Sequence, residues 1–241
     1  MLDFIKRLFQ TKKPDTFTKV SNDNSQPEPP VVNSLFDPLW AKVKEQKFEE
    51  VITEVKEILN KDDQADKGEA RRLLGLCYFQ QGKFDLAEQA YLEQTSTSEN
   101  SDDWFNLVTS STLNRNIELG EQAYLKAIEF YKRNATNENL PIPQIYYYYM
   151  QALRDIKEYE RAFLQLEKLK EIYCSLSITD STFLYIRGVP FFQTAIESSK
   201  EILENIERGK AESFMKALHN GVDDDGKQYL DEFQRKLSYR S

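Results

Sequence analysis

The stretch Arg71-Arg72-Leu73-Leu74-Gly75-Leu76-Cys77-Tyr78-Phe79-Gln80-Gln81-Gly82-Lys83-Phe84-Asp85-Leu86-Ala87-Glu88-Gln89-Ala90-Tyr91 decides the fold class. Its large apolar residues recur at helical spacing on both sides of Gly82, so it reads as two helices joined by a tight turn. Gly75 and Ala87 are small enough to let those helices approach closely, while Leu74, Tyr78 and Tyr91 are large enough to fill the space beside them. Gly82 permits the left-handed backbone that such a turn uses.

That order of residue types resembles one unit of the tetratricopeptide repeat family. Counted from Gly68, residues Leu74, Gly75, Tyr78, Gly82, Phe84, Ala87 and Tyr91 fall on repeat positions 7, 8, 11, 15, 17, 20 and 24. A unit counted from Ser101 places Trp104, Leu107, Gly120, Tyr124 and Ala127 at positions 4, 7, 20, 24 and 27, with Val108 where position 8 is small in the family. A third, from Pro143, offers Tyr146, Tyr149, Leu153, Tyr159 and Ala162, with Met150 at position 8. Upstream, Phe48, Val51, Val55 and Ile58 match the second helix of a preceding unit, behind a degenerate first helix from Pro38 to Glu45. The resemblance implies an all-α fold, a right-handed helical-hairpin solenoid over residues 37–175, with a helical C-terminal extension or cap over 176–241.

Composition agrees with long helices. The chain has 241 residues, 30% of them charged and 40% hydrophobic, with only 8 Gly and 8 Pro, and no stretch alternates apolar and polar residues as a half-buried strand would. Order is expected to begin at Asp37-Pro38, an N-cap followed by proline at the first helical position. Toward the C-terminus, apolar faces are expected from Phe191, Phe192, Ala195, Ile196, Ile202, Leu203 and Ile206, from Phe214, Met215 and Leu218, and from Tyr229, Leu230, Phe233 and Leu237. Such helices would cover the open end of a repeat stack. Residues 14–36 carry Pro14, Pro27, Pro29 and Pro30 among polar residues and read as a flexible linker. Residues 1–13 place Phe4, Ile5, Leu8 and Phe9 beside Lys6, Arg7, Lys12 and Lys13, a short basic amphipathic segment able to meet a lipid interface. Asp3 and Lys6 interrupt the apolar run that an export signal needs.

The charge balance narrows the chemistry. A net charge of -8 opposes sequence-independent nucleic-acid binding. One histidine and two cysteines exclude His-rich or Cys-rich zinc sites, and Cys77 and Cys174 read as small buried hydrophobes of a reducing cytosol. The run from Asp223 to Gln234 resembles a calcium loop, but Lys227 and Gln234 stand where ligands belong, so an acidic helix N-terminus is the simpler reading. Gly221-x-x-x-x-Gly226-Lys227 matches a phosphate-binding loop by spacing only, because its interior is acidic. No nucleophile elbow is present, and His219 lies near a helix end, where it would satisfy terminal carbonyls. No enzyme activity, metal or cofactor is expected. The four consecutive tyrosines 146–149 point in four directions around a helix, which makes them mostly packing residues.

In tetratricopeptide repeats the concave surface is lined by the first helix of each unit. The resemblance implies a peptide-binding groove at Arg72, Leu76, Phe79, Phe105, Asn106, Tyr147 and Arg154, with the alternative that several of these only pack against neighbouring helices. Of the family's carboxylate clamp, Arg72 and Asn106 fit, whereas Leu76, Gln144 and Tyr147 do not. The expected role is a non-catalytic, cytoplasmic scaffold or adaptor that binds a protein or peptide. Two alternatives use the N-terminus: a peripheral membrane tether through Phe4, Ile5, Leu8 and Phe9, and a segment that loops back into the chain's own groove.

Overall fold

The computed structural model describes residues 35–61, 67–134 and 136–238. Every regular element among them is an α-helix, and two compact units divide between Gln94 and Thr95, at the last residue of the fourth helix.

The first unit holds α1 (Asp37–Lys44), α2 (Phe48–Leu59), α3 (Lys67–Gln80) and α4 (Phe84–Thr95). Leu39, Val43, Val51, Val55, Leu73 and Cys77 form its buried interior. The first helix begins at Asp37, with Pro38 in its first turn. Phe36, not Asp37, is the N-cap of α1; its side chain is buried, and the Trp40 N–H closes the first turn on its carbonyl at 2.9 Å. Burying an aromatic ring outweighs the preference for a carboxylate at that position.

The second unit holds α5 (Ser101–Leu113), α6 (Ile117–Asn134), α7 (Ile142–Asp155), α8 (Tyr159–Leu176), α9 (Ser181–Ile186), α10 (Phe192–Asn205), α11 (Arg208–Gly221) and α12 (Asp224–Gln234). Consecutive helices pair α5 with α6 and α7 with α8, and α10 and α11 both pack on α8.

One turn joins the helices of each successive hairpin. Gln46, Gly82, Arg115 and Lys157 all have positive φ, between 61° and 71°. In each case the N–H of that residue bonds three residues back and the next N–H bonds five back. The pairs are Gln46 to Val43 with Lys47 to Lys42, Gly82 to Phe79 with Lys83 to Tyr78, Arg115 to Thr112 with Asn116 to Ser111, and Lys157 to Arg154 with Glu158 to Leu153. This is the Schellman arrangement, which satisfies the last carbonyls of the first helix and reverses the chain. Only Gly82 advertises it in sequence, yet all four residues hold the same position of the repeat register.

Helix approach is set by small residues on either partner. A methyl group on Gly75 would lie 2.6 Å from the Tyr91 ring, so α3 and α4 close over that pair. In α5 the corresponding place is taken by Val108, and the small residue comes from the other helix: a methyl on Gly120 would meet Thr112 Oγ1 at 2.6 Å and the Val108 carbonyl at 3.5 Å. Between α7 and α8, Met150 and Ala162 are both fully buried.

Beyond α8 the corners change. Ile206 and Val222 are extended at the ends of α10 and α11, so Ile206 serves as a corner rather than as part of a helical face. α12 ends at Gln234, which leaves Leu237 outside the last helix. Phe192, Ala195, Ile196, Ile202, Leu203, Phe214, Met215, Leu218, Leu230 and Phe233 are buried as their spacing predicts. Cys77 is buried, and burial pushes its thiol up to about 12. Cys174, expected inside, is only partly buried; α11 packs against it at Gly221, where a side chain would collide with the thiol.

Candidate interaction surfaces

In the first unit the helix face that the repeat resemblance nominates carries a polar chain. Trp40 Nε1 donates to Glu69 Oε1 at 2.9 Å, and Arg72 Nη1 donates to Glu69 Oε2 at 3.2 Å. Glu69 therefore ties α1 to α3 and orients Arg72, whose side chain stays about one-third exposed (35%). Leu76 and Phe79 are buried, with Phe79 edge-on to Phe84 at 5.4 Å between ring centres. Arg72 is thus the group in this set that reaches solvent, and Leu76 and Phe79 support the helices beneath it.

In the second unit Phe105 is almost fully buried, its ring 6.0 Å from that of Tyr148. The Asn106 carbonyl accepts from Thr109 and Ser110 hydroxyls. Tyr147 is buried, and its hydroxyl lies 3.0 Å from Ser198 Oγ and accepts from Gln151 Nε2 at 2.8 Å. Arg154 donates to the Ser198 carbonyl at 3.0 Å and to Asp155 at 2.7 Å. The residues expected at a third ligand-facing helix are thus joined to α10. Packing roles account for Leu76, Phe79, Phe105 and Tyr147, while Arg72, Asn106, Gln151 and Arg154 keep some exposure.

The tyrosine run follows from the same enclosure. Tyr147, Tyr148 and Tyr149 are all buried, because α7 has neighbours on more than one side: α5, α8 and α10. Tyr149 stacks on Tyr124 with ring centres 4.9 Å apart. Tyr146 is partly exposed, with the Lys168 ammonium 5.3 Å from its ring centre and 4.7 Å from that of Tyr124. Burial lowers the pKa of Lys168 and raises those of Tyr124 and Tyr149, as desolvation disfavours each charged form.

An open depression of about 620 Å³ is lined by Gln193, Thr194, Glu197, Ser198 and Tyr229. Tyr229 OH donates to Glu197 Oε1 at 2.8 Å. The sequence signals none of these residues as a site: Ser198 meets Tyr147 across 51 residues, and the helix that carries it reads only as amphipathic. Among the described residues, no group of three His, Cys, Asp or Glu side chains is placed to hold a metal, and no helix is long and apolar enough to cross a membrane. Asp223 caps α12 and binds Thr179 through its N–H and hydroxyl at 2.8 and 2.6 Å, and His219 Nε2 lies 3.4 Å from Asp231. The membrane-contact candidates Phe4, Ile5, Leu8 and Phe9 lie outside the described residues.

Among the described residues the fold is all-helical, with neighbouring helices packed in sequence. Comparison with protein-family models, with curated proteins and with solved structures finds no match.

Proposed function

We propose that the chain is a tetratricopeptide-like helical-repeat scaffold, a right-handed hairpin solenoid with a helical C-terminal cap, and that it binds a protein or peptide segment without catalysis. The observation that carries this reading is the same Schellman turn at Gln46, Gly82, Arg115 and Lys157. Within each unit, hairpins closed in one geometry present their first helices alike, which is how repeat proteins build recognition surfaces. In the first unit Arg72, held by Glu69, supplies a polar contact over the rigid backing of Leu76 and Phe79, and in the second unit the partly exposed Asn106, Gln151 and Arg154 do so over Phe105 and Tyr147. Arginine held by a second side chain loses less freedom on binding than a free one.

Affinity capture from lysate, with wild type against Arg72→Ala/Glu69→Ala and Gln151→Ala/Arg154→Ala, tests the reading. The expected result is a protein enriched on wild type and lost from at least one double variant. Proteins retained equally by all three, or none enriched at all, would overturn it.

A further inference from the structure

α10 carries three glutamates on one side. Glu197, Glu201 and Glu204 are spaced by four and three residues, which places them along one helical face. Each carboxylate is held by a donor from elsewhere in the fold: Tyr229 OH on Glu197 at 2.8 Å, Tyr159 OH on Glu201 at 2.7 Å, and the backbone N–H of Ser238 on Glu204 at 2.9 Å. Lys236 Nζ stands 3.4 Å from Glu197 Oε1. The segment that follows α12, Arg235-Lys236-Leu237-Ser238, is therefore seated along the row through one ammonium and one peptide N–H. At the Glu197 end the row opens into the depression lined by Gln193, Thr194 and Ser198.

We propose that this α10 strip is a docking site for an extended, lysine- or arginine-bearing segment of a partner protein, and that the chain's own C-terminal tail is its resident occupant, displaced when the partner binds. The inference rests on the scaffold reading only for the existence of a protein partner.

Charge and geometry both favour such an occupant. Without Lys236 the row sets three carboxylates against the ammonium of Lys200, 3.8 Å from Glu204, while Arg154 is committed to Asp155 and to the Ser198 carbonyl. Burial, and then the hydrogen bond to Glu197, push the Tyr229 phenol pKa upward. It stays a neutral donor that fixes one carboxylate oxygen. Fixed carboxylates steer a cationic segment and set its register. The tail itself is held by an exposed ion pair and one peptide hydrogen bond, contacts weak enough to be exchanged. Its advantage is tethering, which acts as a high local concentration.

The test uses the full chain and a fluorescein-labelled peptide, Arg-Lys-Leu-Ser-Tyr-Arg-Ser, the sequence of residues 235–241 supplied in trans. Anisotropy at low salt reads its affinity for wild type, for Lys236→Gln/Ser238→Pro, which unseats the tail, and for the same variant with Glu197→Gln/Glu204→Gln. Unseating the tail is expected to tighten probe binding about tenfold by removing the tethered competitor, and the two carboxamides to abolish that gain. Added salt and a probe with Gln for Arg and Lys are expected to abolish binding. Equal affinity for wild type and the unseated variant, or unchanged affinity after Glu197→Gln/Glu204→Gln, overturns the proposal. Circular dichroism melts confirm that each variant is folded, and Glu212→Gln, a charge change outside the row, serves as control. Failure of the peptide assay with lysate capture retained removes the strip alone, whereas loss of all capture with peptide binding intact removes the broader groove reading.

Discussion

Gly75 lies against the face of Tyr91, so close that a methyl group on the glycine would stand 2.6 Å from Cε1, 2.7 Å from Cζ and 2.8 Å from Cδ1 of the ring. Tyr91 is itself buried and cannot swing away. Gly75→Ala is therefore expected to destabilise the first unit by about 1–3 kcal/mol, the usual cost of overpacking a close helix crossing. Its higher helix propensity, worth about 1 kcal/mol, offsets only part of that. Urea denaturation followed by circular dichroism gives the value, and an alanine variant as stable as wild type would show that α3 and α4 do not meet at this pair.

The repeated turn makes opposite forecasts at different positions. Arg115 and Lys157 adopt left-handed backbone with φ of 64° and 69°, which costs a residue with a Cβ about 1–2 kcal/mol. Glycine there removes that strain and gives back about 0.4–1 kcal/mol through the greater entropy of the unfolded chain. Arg115→Gly and Lys157→Gly should each leave a net stabilisation of about 0.5–1 kcal/mol. Gly82→Ala, at φ 71°, should destabilise. A rise in the urea midpoint for the first two and a fall for the third is the expected pattern.

Ser111 is fully buried and its hydroxyl has no hydrogen-bond partner, unlike Thr109, Ser110 and Thr112 beside it, which bond back to carbonyls of their own helix. An unsatisfied buried hydroxyl costs about 1–3 kcal/mol. Ser111→Ala should consequently be neutral or stabilising. Thr112→Val, which leaves the Val108 carbonyl without its 2.6 Å donor and sits against Gly120, should destabilise, so a loss of stability in Ser111→Ala comparable to that in Thr112→Val would refute the distinction.

Asp223 binds the Thr179 N–H, the Thr179 hydroxyl and the Gly226 N–H, which joins the end of α8 to the start of α12. Desolvation raises its carboxyl pKa, but the hydrogen bonds from Thr179 and Gly226 outweigh it, and the net result lies below the usual carboxylate value. A depressed folded-state pKa contributes stability above the unfolded value of about 3.9, and that contribution is lost as pH falls through the folded value. Asp223→Ala is expected to cost about 1–2 kcal/mol at pH 7, as for loss of a capping side chain. The gap between variant and wild type should narrow below about pH 4. Thermal melts of both proteins from pH 7 to pH 3 measure it; a gap that stays constant would mean that the carboxylate charge is not what holds the corner.

Much of the helical architecture is legible without coordinates, and for local reasons. Amphipathic spacing locates α2, α3, α10 and α11, and the left-handed turn at Gly82 can be read from residue type because glycine pays no Cβ penalty there. The equivalent turns at Gln46, Arg115 and Lys157 cannot, since their residues are imposed on that conformation by the hairpin and not chosen for it. The same limit applies to the candidate surface: the register nominates Arg72, Tyr147 and Arg154, but not that Glu69 orients the first or that α10 engages the other two.

Sequence by itself determined the helical class, the hairpin period and the buried faces, because periodicity and small-large complementarity act over one or two helical turns. Tertiary structure alone decided that Ser198 meets Tyr147 and that the tail around Lys236 lies on the glutamates of α10. Those pairings join residues far apart in the chain, and chain folding rather than local residue preference brings them within a few ångströms of each other.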